Sequence, residues 1–347
     1  MAAASGLEGA GEILVSIPPG DGGVLMGLTF TASERGVHRP GPLHMQVESL
    51  WGFWGFRRTL DLNTEIRVQP DLSVDRRRVA ALFLVSGSEG QRPVRQVGHG
   101  REFEKLRPFV PGDAPDDIHW KATAKRAAPV TKVFQAERTQ EVYVLVDASR
   151  LASRGMEDGR TALDAFLRAA LLLWQAALAQ QDHFGLVIYS RHVTTFIRAG
   201  GGLAHLDACR EALVSVRPDP APADLRELSA FLGLRLRHRA LLTMLTCLDD
   251  PEAASEAAAF LPHIGRRHLL LVHSLVPSSL APVFPGPVVS SVDDIARRVG
   301  GHLRWKKLGD LGRMLGRQGV RLEVVRRPSL VTGLISAYLQ AKRRELL

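Results

Sequence analysis

Cysteine is almost missing: Cys209 and Cys247 are the only two in 347 residues. Two thiols make no disulfide framework, and no C-x-x-C spacing offers a zinc site. That usage suits a reducing, intracellular setting. Long apolar runs are absent as well. The N-terminal MAAASGLEGAGEI has no basic-then-apolar leader pattern. The most apolar stretch, Ala162 to Ala179, carries Asp164, Arg168 and Gln175, which marks an amphipathic or buried helix rather than a membrane span. The expectation is a cytoplasmic protein, soluble or peripheral to a membrane. Enzyme signatures are lacking too. There is no G-x-x-x-x-G-K-[ST], no G-x-S-x-G and no dinucleotide-binding G-x-G-x-x-G, and the histidines show no H-E-x-x-H spacing.

What remains is ordinary globular material, 45% hydrophobic and 23% charged, long enough for two domains that each bury a core. Lys+Arg of 45 against Asp+Glu of 36 leave a formal charge of +9. Such a balance favours acidic partners: nucleic acid, an anionic lipid surface or an acidic protein face. The basic residues come as scattered pairs, such as Arg57–Arg58, Arg266–Arg267 and Lys306–Lys307. Nucleic-acid binders concentrate charge on one face beside aromatic platforms. No such motif stands here, so solvated surface charge is the first reading and an anionic membrane surface the second. Aromatics make up only 6% of the chain, yet Trp51, Phe53, Trp54 and Phe56 crowd one turn. Buried, they are a core wedge; exposed, they are a patch for a partner or a membrane.

Residues 1–85 read as a β-rich domain of short strands, ILVSI, GVLMGLTFTA, LHMQVESL and LDLNTEIRVQP, between turn-forming breaks. Residues 86–138 read as a linker followed by a connector, with SGSEGQRPVRQVGHG as its glycine-rich, basic start. From 139 to 347 the rhythm is α/β. EVYVLVD, HFGLVIYS, RALLTMLTCL, HLLLVHSLV and VRLEVV are strands. Helices are expected at 160–181, 201–215, 251–261, 292–299, 308–318 and 330–344. Apolar strands alternating with helices predict a doubly wound, mostly parallel sheet covered on both faces.

In such sheets ligands lie beyond the carboxyl ends of the strands. Asp147 and Ser149, closing the strand in VYVLVDASRL, sit at such an edge. They offer two hard oxygens suited to Mg²⁺, but the spacing alone favours a turn in which Asp147 binds backbone amides. A second cluster fills Gly100 to Lys125, GREFEKLRPFVPGDAPDDIHWKATAK. Arg107 with Lys121 suits anion capture, and Asp113 with His119 suits acid–base work. The alternative is a domain-joining loop whose polar groups satisfy one another while Trp120 plugs the sheet edge.

The order G-R-E-F-x-x-L-R-x-F-x-x-G-D-x-x-D-x-I-x-W-K-A-x-A, then V-T-K-V-F-Q-A-E-R-T and V-L-V-D-A-S, resembles the domain-of-unknown-function-58 family closely. The likeness extends upstream through RGVHRPGPLHMQVESLWGFWGF and downstream through VRLEVV and LISAYLQAKRRE. It implies a von Willebrand factor A-like C-terminal part and no established enzymatic activity. It also implies a bacterial protein encoded beside a MoxR-type AAA+ ATPase and working with it in assembly or maturation. Relatives commonly carry two membrane helices ahead of the β domain, which this sequence lacks. The motif residues Glu102, Arg107, Gly112, Asp113, Trp120 and Lys121 are then a partner or interdomain surface.

Factor A-like domains hold Mg²⁺ through a D-x-S-x-S loop, a threonine and an aspartate, and the resemblance maps these here. Asp147 and Ser149 match the first loop, but Leu151 replaces its last serine. RAGGGLAHL offers no threonine, and Cys247 stands where the aspartate belongs, with Asp249 or Asp250 as substitutes. The expected site is degenerate, with Asp147, Ser149 and Asp249 as its remnant, and no cofactor is expected beyond a marginal Mg²⁺. Arg150, inside the loop, is a candidate to stand in for the cation. The expected function is a non-catalytic interaction scaffold. A basic binder of anionic lipid or nucleic acid, and a Mg²⁺-dependent hydrolase, are the alternatives.

Overall fold

A computed structural model describes residues 7–9, 27–32, 35–49, 51–69, 72, 75–77, 79–81, 97–110, 118–126, 128–135, 140–156, 159–284 and 291–343. The N-terminal strands are short and pair two by two, always antiparallel. β1 (Leu7–Gly9) pairs with β2 (Phe30–Ala32), and β3 (Gly36–His38) pairs with β6 (Ile66–Val68). Between the latter two, β4 (Leu43–Glu48) and β5 (Gly55–Leu60) form a hairpin. Most of their side chains remain in solvent. The expected strand ILVSI and residues 86–96 of the expected linker lie outside the described residues. The end of that linker is no loop: β7 (Val97–Pro108) runs antiparallel to β8 (Val130–Gln135). The short helix α1 (Trp120–Arg126) sits between them.

The rest is built around one apolar strand, β9 (Glu141–Asp147). Val142, Tyr143, Val144, Leu145 and Val146 have no exposed surface at all, so both faces of the strand must be covered. Its neighbours are β10 (His183–Tyr189) on one side and β12 (Leu241–Thr246) on the other. Then come β11 (Val193–Gly200) beyond β10, and β13 (Leu269–Leu275) and β14 (Arg321–Val325) beyond β12. The order is β11-β10-β9-β12-β13-β14, parallel throughout except for the edge strand β11. The doubly wound, mostly parallel sheet follows the apolar strands, as expected.

Alternation along β9 sorts the core into two. Val142, Val144 and Val146 pack with α2 (Ala162–Ala179), α3 (Leu203–Ser215) and α7 (Arg327–Arg343). Tyr143 and Leu145 pack with α4 (Leu225–Arg235), α5 (Pro251–Arg267) and α6 (Val292–Arg317). Helix α2 begins with a full capping box, in which Thr161 and Asp164 satisfy each other's backbone amides. Among the described residues it is the helix long and apolar enough to cross a membrane, and two-thirds of it is buried inside the protein.

Several sequence expectations need correction. Strand β11 and helix α4 were not foreseen. VTTFIRAG is an edge strand with half-buried sides, and its polar residues mask the strand signal. Helix α5 continues past Pro262 to Arg267. The expected pair of helices at 292–299 and 308–318 is one helix, α6. Gly300–Gly301 looks like a break, yet Gly301 is buried where a Cβ would collide with the Ser279 carbonyl oxygen. The glycine serves close packing.

Two polar ties hold the periphery. Arg35 donates to Asp164 (2.5 Å) and to the Val216 carbonyl (2.9 Å), fixing the N-terminal strands against α2 and the end of α3. At the amino end of the sheet, Asp182 accepts hydrogen bonds from the Tyr338 hydroxyl (2.5 Å), Lys342 Nζ (2.8 Å) and the Gln140 amide (3.2 Å). With its carboxylate fully buried, Asp182 depends on these donors. Burial and Asp182 together push the Tyr338 hydroxyl far above the usual phenol range. Tyr338→Phe is therefore expected to cost about 2 kcal/mol, read as a lower denaturant midpoint at unchanged m-value.

Candidate functional site

The chain reverses its direction of growth across the sheet between β9 and β12, and a crevice at such a switch point is where ligands of doubly wound sheets sit. Asp147 ends β9, and Asp249 follows β12 by three residues. Asp147 is 1% exposed. Its Oδ1 accepts the Ser149 amide (2.9 Å) and its Oδ2 accepts the Thr246 hydroxyl (2.7 Å). Burial raises its carboxyl above the ordinary range, and the contacts from Ser149, Thr246 and the Cys247 amide pull it partly back.

In the loop after β12 the aspartate has a partner of its own. Both oxygens of Asp249 are taken by Arg154, from Nη1 at 2.9 Å and Nη2 at 2.5 Å. The Asp249 side chain is 1% exposed, whereas that of Arg154 is 42% exposed. The pair is a bidentate fork with one buried partner and one partner facing water. Asp250 is no substitute ligand: it caps α5, accepting the amides of Glu252 (3.1 Å) and Ala253 (3.4 Å). The sequence pointed to Arg150 as the arginine of this edge; the structure leaves Arg150 exposed and puts Arg154 on Asp249. Nothing in its spacing marks it, because the contact joins loops 95 residues apart.

Further bonds hold the first loop. Ser190 Oγ donates to Asp219 (2.7 Å), the Asp219 amide donates to Ala148 O (2.7 Å), and the Arg150 amide donates to Ala221 O (2.9 Å). Beside them lies an open cleft of about 610 Å³, lined by Arg191, Asp224, Arg226, Glu256 and Phe260 among others. Its charges balance, and Arg226 lies 5.4 Å from the centre of the Phe260 ring. Cys247 is buried at the edge, and burial pushes its thiol well above the usual range, which makes it inert.

A Mg²⁺ ion does not fit these residues. It needs near-octahedral oxygen ligands. Here every oxygen of Asp147 and Asp249 is already engaged, Leu151 is apolar, and a guanidinium stands between the loops. Among the described residues no three acidic, histidine or cysteine side chains converge on a metal-sized space. The Ser149 hydroxyl and the Tyr189 hydroxyl are buried beside Asp147 without a well-formed hydrogen bond.

The connector behaves differently from its sequence reading. Gly112 and Asp113 lie outside the described residues. Glu102 is in β7, paired in register with Gln135. Arg107 is in β7 opposite Thr131, with Nη1 donating to Pro108 O (3.4 Å). His119 is tied locally: its amide donates to Val130 O (2.8 Å), and its Nδ1 accepts the Ala122 amide (3.0 Å). Trp120 does not plug the sheet edge. It is 71% exposed on the first turn of α1, with Lys121 exposed beside it.

Residues 105–278, half of the chain, match the family model described as protein of unknown function DUF58. The chain belongs to this family. The matched span takes in β8 through β13 and both loops of the Asp147–Asp249 edge. No curated protein matches the sequence. Among solved structures, the chain is similar to the VWA domain of SpRpn10, with a TM-score of 0.34 and 8% identity over 57% of this chain and 95% of that one. It is also similar to an aerotolerance-related membrane protein from Bacteroides fragilis, with a TM-score of 0.36 and 11% identity over 59% and 99%. A conserved hypothetical protein, BatB from Bacteroides thetaiotaomicron, gives a TM-score of 0.36 and 13% identity over 59% and 99%.

Two variants probe the edge of this DUF58 protein. Asp147→Asn keeps an acceptor for the Ser149 amide and can donate to Thr246. Because the folded-state carboxyl titrates above its unfolded value, the stability it contributes is full below the unfolded pKa and is lost as pH rises through the folded one. The variant is therefore expected to be at least as stable as the parent at pH 7, with the difference closing as pH falls; denaturant titrations across pH 4–7 check this. Arg154→Ala leaves Asp249 buried without its partner and is expected to cost about 2 kcal/mol. That lies at the low end for a buried pair because Arg154 is half in water. A thermal melt of this variant within error of the parent contradicts the pairing.

Proposed function

We propose that this DUF58 protein is a non-catalytic interaction module that docks an acidic segment of a protein partner on its Asp147–Asp249 edge without a metal ion. The observation that carries this reading is the Arg154–Asp249 fork. In a metal-dependent docking edge, a cation with an open position receives the partner's carboxylate. Here the positive charge is a guanidinium anchored from behind by a buried aspartate and half exposed in front. Its Nε donates to the Leu151 carbonyl (3.5 Å), so the remaining outward Nη hydrogens, with the exposed Arg150 on the same loop, offer single charge-assisted donors to a partner's carboxylate. Catalysis has little to work with. The Asp147 and Asp249 oxygens are consumed internally, and His119 caps its own helix.

The partner we propose, on the family resemblance, is a MoxR-type AAA+ ATPase, served in an assembly or maturation step at a cytoplasmic or membrane-peripheral location. Binding of the purified protein to a MoxR-type ATPase from the same genome, followed by interferometry without nucleotide, tests the reading. The expected Kd is the same in Mg²⁺ and in chelator and rises at least tenfold for an Arg150→Glu, Arg154→Glu variant that remains folded. Binding that needs Mg²⁺, or Mg²⁺-dependent turnover of a phosphoester abolished by Asp147→Ala, contradicts it.

A further inference from the structure

The β4–β5 hairpin holds four of the chain's 21 aromatic residues, 5 Trp, 3 Tyr and 13 Phe in all, within six positions of its tip. Trp51, Phe53, Trp54 and Phe56 are between 63% and 82% exposed. They are no core wedge. Among the described residues the two strands pair only with each other, from Leu43↔Leu60 to Glu48↔Gly55, so the tip stands at the end of a two-stranded ribbon. It is also preformed. The Ser49 amide donates to Trp54 O (2.8 Å), the Trp54 amide to Ser49 Oγ (3.2 Å), and the Gly52 amide to Ser49 O (2.9 Å). Gly52 accepts the left-handed turn, with φ +70°. The aromatics are thus displayed without an ordering cost at the moment of binding.

Behind the aromatics come Arg57 and Arg58, both exposed and on opposite faces of the ribbon. Arg57 donates to Gln46 Oε1 (3.0 Å), its partner across the ribbon. At about 3.3 Å per residue, Arg58 stands roughly 7 Å behind Phe56. That distance is close to the depth of one headgroup layer, about 5–8 Å between hydrocarbon and water. Aromatic rings prefer the hydrocarbon–headgroup boundary, and guanidinium groups are drawn to anionic phosphates. In the hairpin only Glu48 opposes the two arginines, and the whole chain carries +9.

We infer that the β4–β5 hairpin is a membrane-surface anchor, its Trp51–Phe56 tip entering the interface of an anionic bilayer while Arg57 and Arg58 contact lipid phosphates. Co-sedimentation of the full chain with phosphatidylcholine vesicles, with and without one-quarter phosphatidylglycerol, tests this at 0.1 M salt. The parent is expected to partition onto the anionic vesicles. The partition coefficient should fall at least tenfold in W51A/W54A, whose melting temperature stays that of the parent because both side chains are in solvent. R57Q/R58Q should lose the preference for anionic over neutral vesicles while keeping the folded melt. A parent that stays in the supernatant with anionic vesicles overturns the inference and leaves the tip as a protein-docking surface. Undiminished partition of W51A/W54A overturns it too, since it assigns the binding to basic charge elsewhere.

Discussion

A buried carboxylate needs a counter-charge, and Asp249 finds it in Arg154, reached across the switch point of the sheet. That single fork decides the character of the edge. It ties the loop after β9 to the loop after β12 and consumes the carboxylate that a metal would otherwise take. It also leaves the outward side of a guanidinium exposed there, beside Arg150. Asp147 is held differently: an amide and a hydroxyl each donate to one of its oxygens, and burial raises its carboxyl toward the neutral form. The edge keeps the shape of a ligand crevice while its charge is supplied by the chain.

The sheet beneath was legible because its central strands obey one rule. β9, β10, β12 and β13 are buried on both faces and read as continuous apolar runs, so their positions and parallel pairing followed from the residues. The elements that escaped were those whose signal is diluted by exposure or disguised by packing. β11 is an antiparallel edge with threonine and arginine in it. α4 follows the proline-rich RPDPAPAD and fully buries just Leu225, Leu228 and Leu232. α6 conceals its continuity behind Gly300–Gly301, because the demand for a glycine comes from the Ser279 carbonyl, which local sequence cannot reveal.

The site divided in the same way. Asp147 and Ser149 are local to one strand end, and their spacing carried them. Arg154 meets Asp249 through a contact between loops 95 residues apart, so its pairing could not be read from local spacing. Trp120 shows the opposite error. An aromatic residue in an ordered motif reads as core, yet it faces solvent on α1, and the same holds for the tip of the β4–β5 hairpin. The stable sheet and the exposed aromatic elements are thus separate parts of one chain, the first giving rigidity to a charged edge and the second presenting apolar surface to a partner phase.

The central claim is that a guanidinium holds the place of a metal ion. Its most direct test is a crystal of the protein grown in Mn²⁺ and measured for anomalous scattering. The account predicts no anomalous peak between Asp147 and Asp249, with the Arg154 fork intact in the density. A peak within coordination distance of Asp147 and Ser149, with Arg154 swung out to solvent, would contradict it and restore a metal-dependent edge.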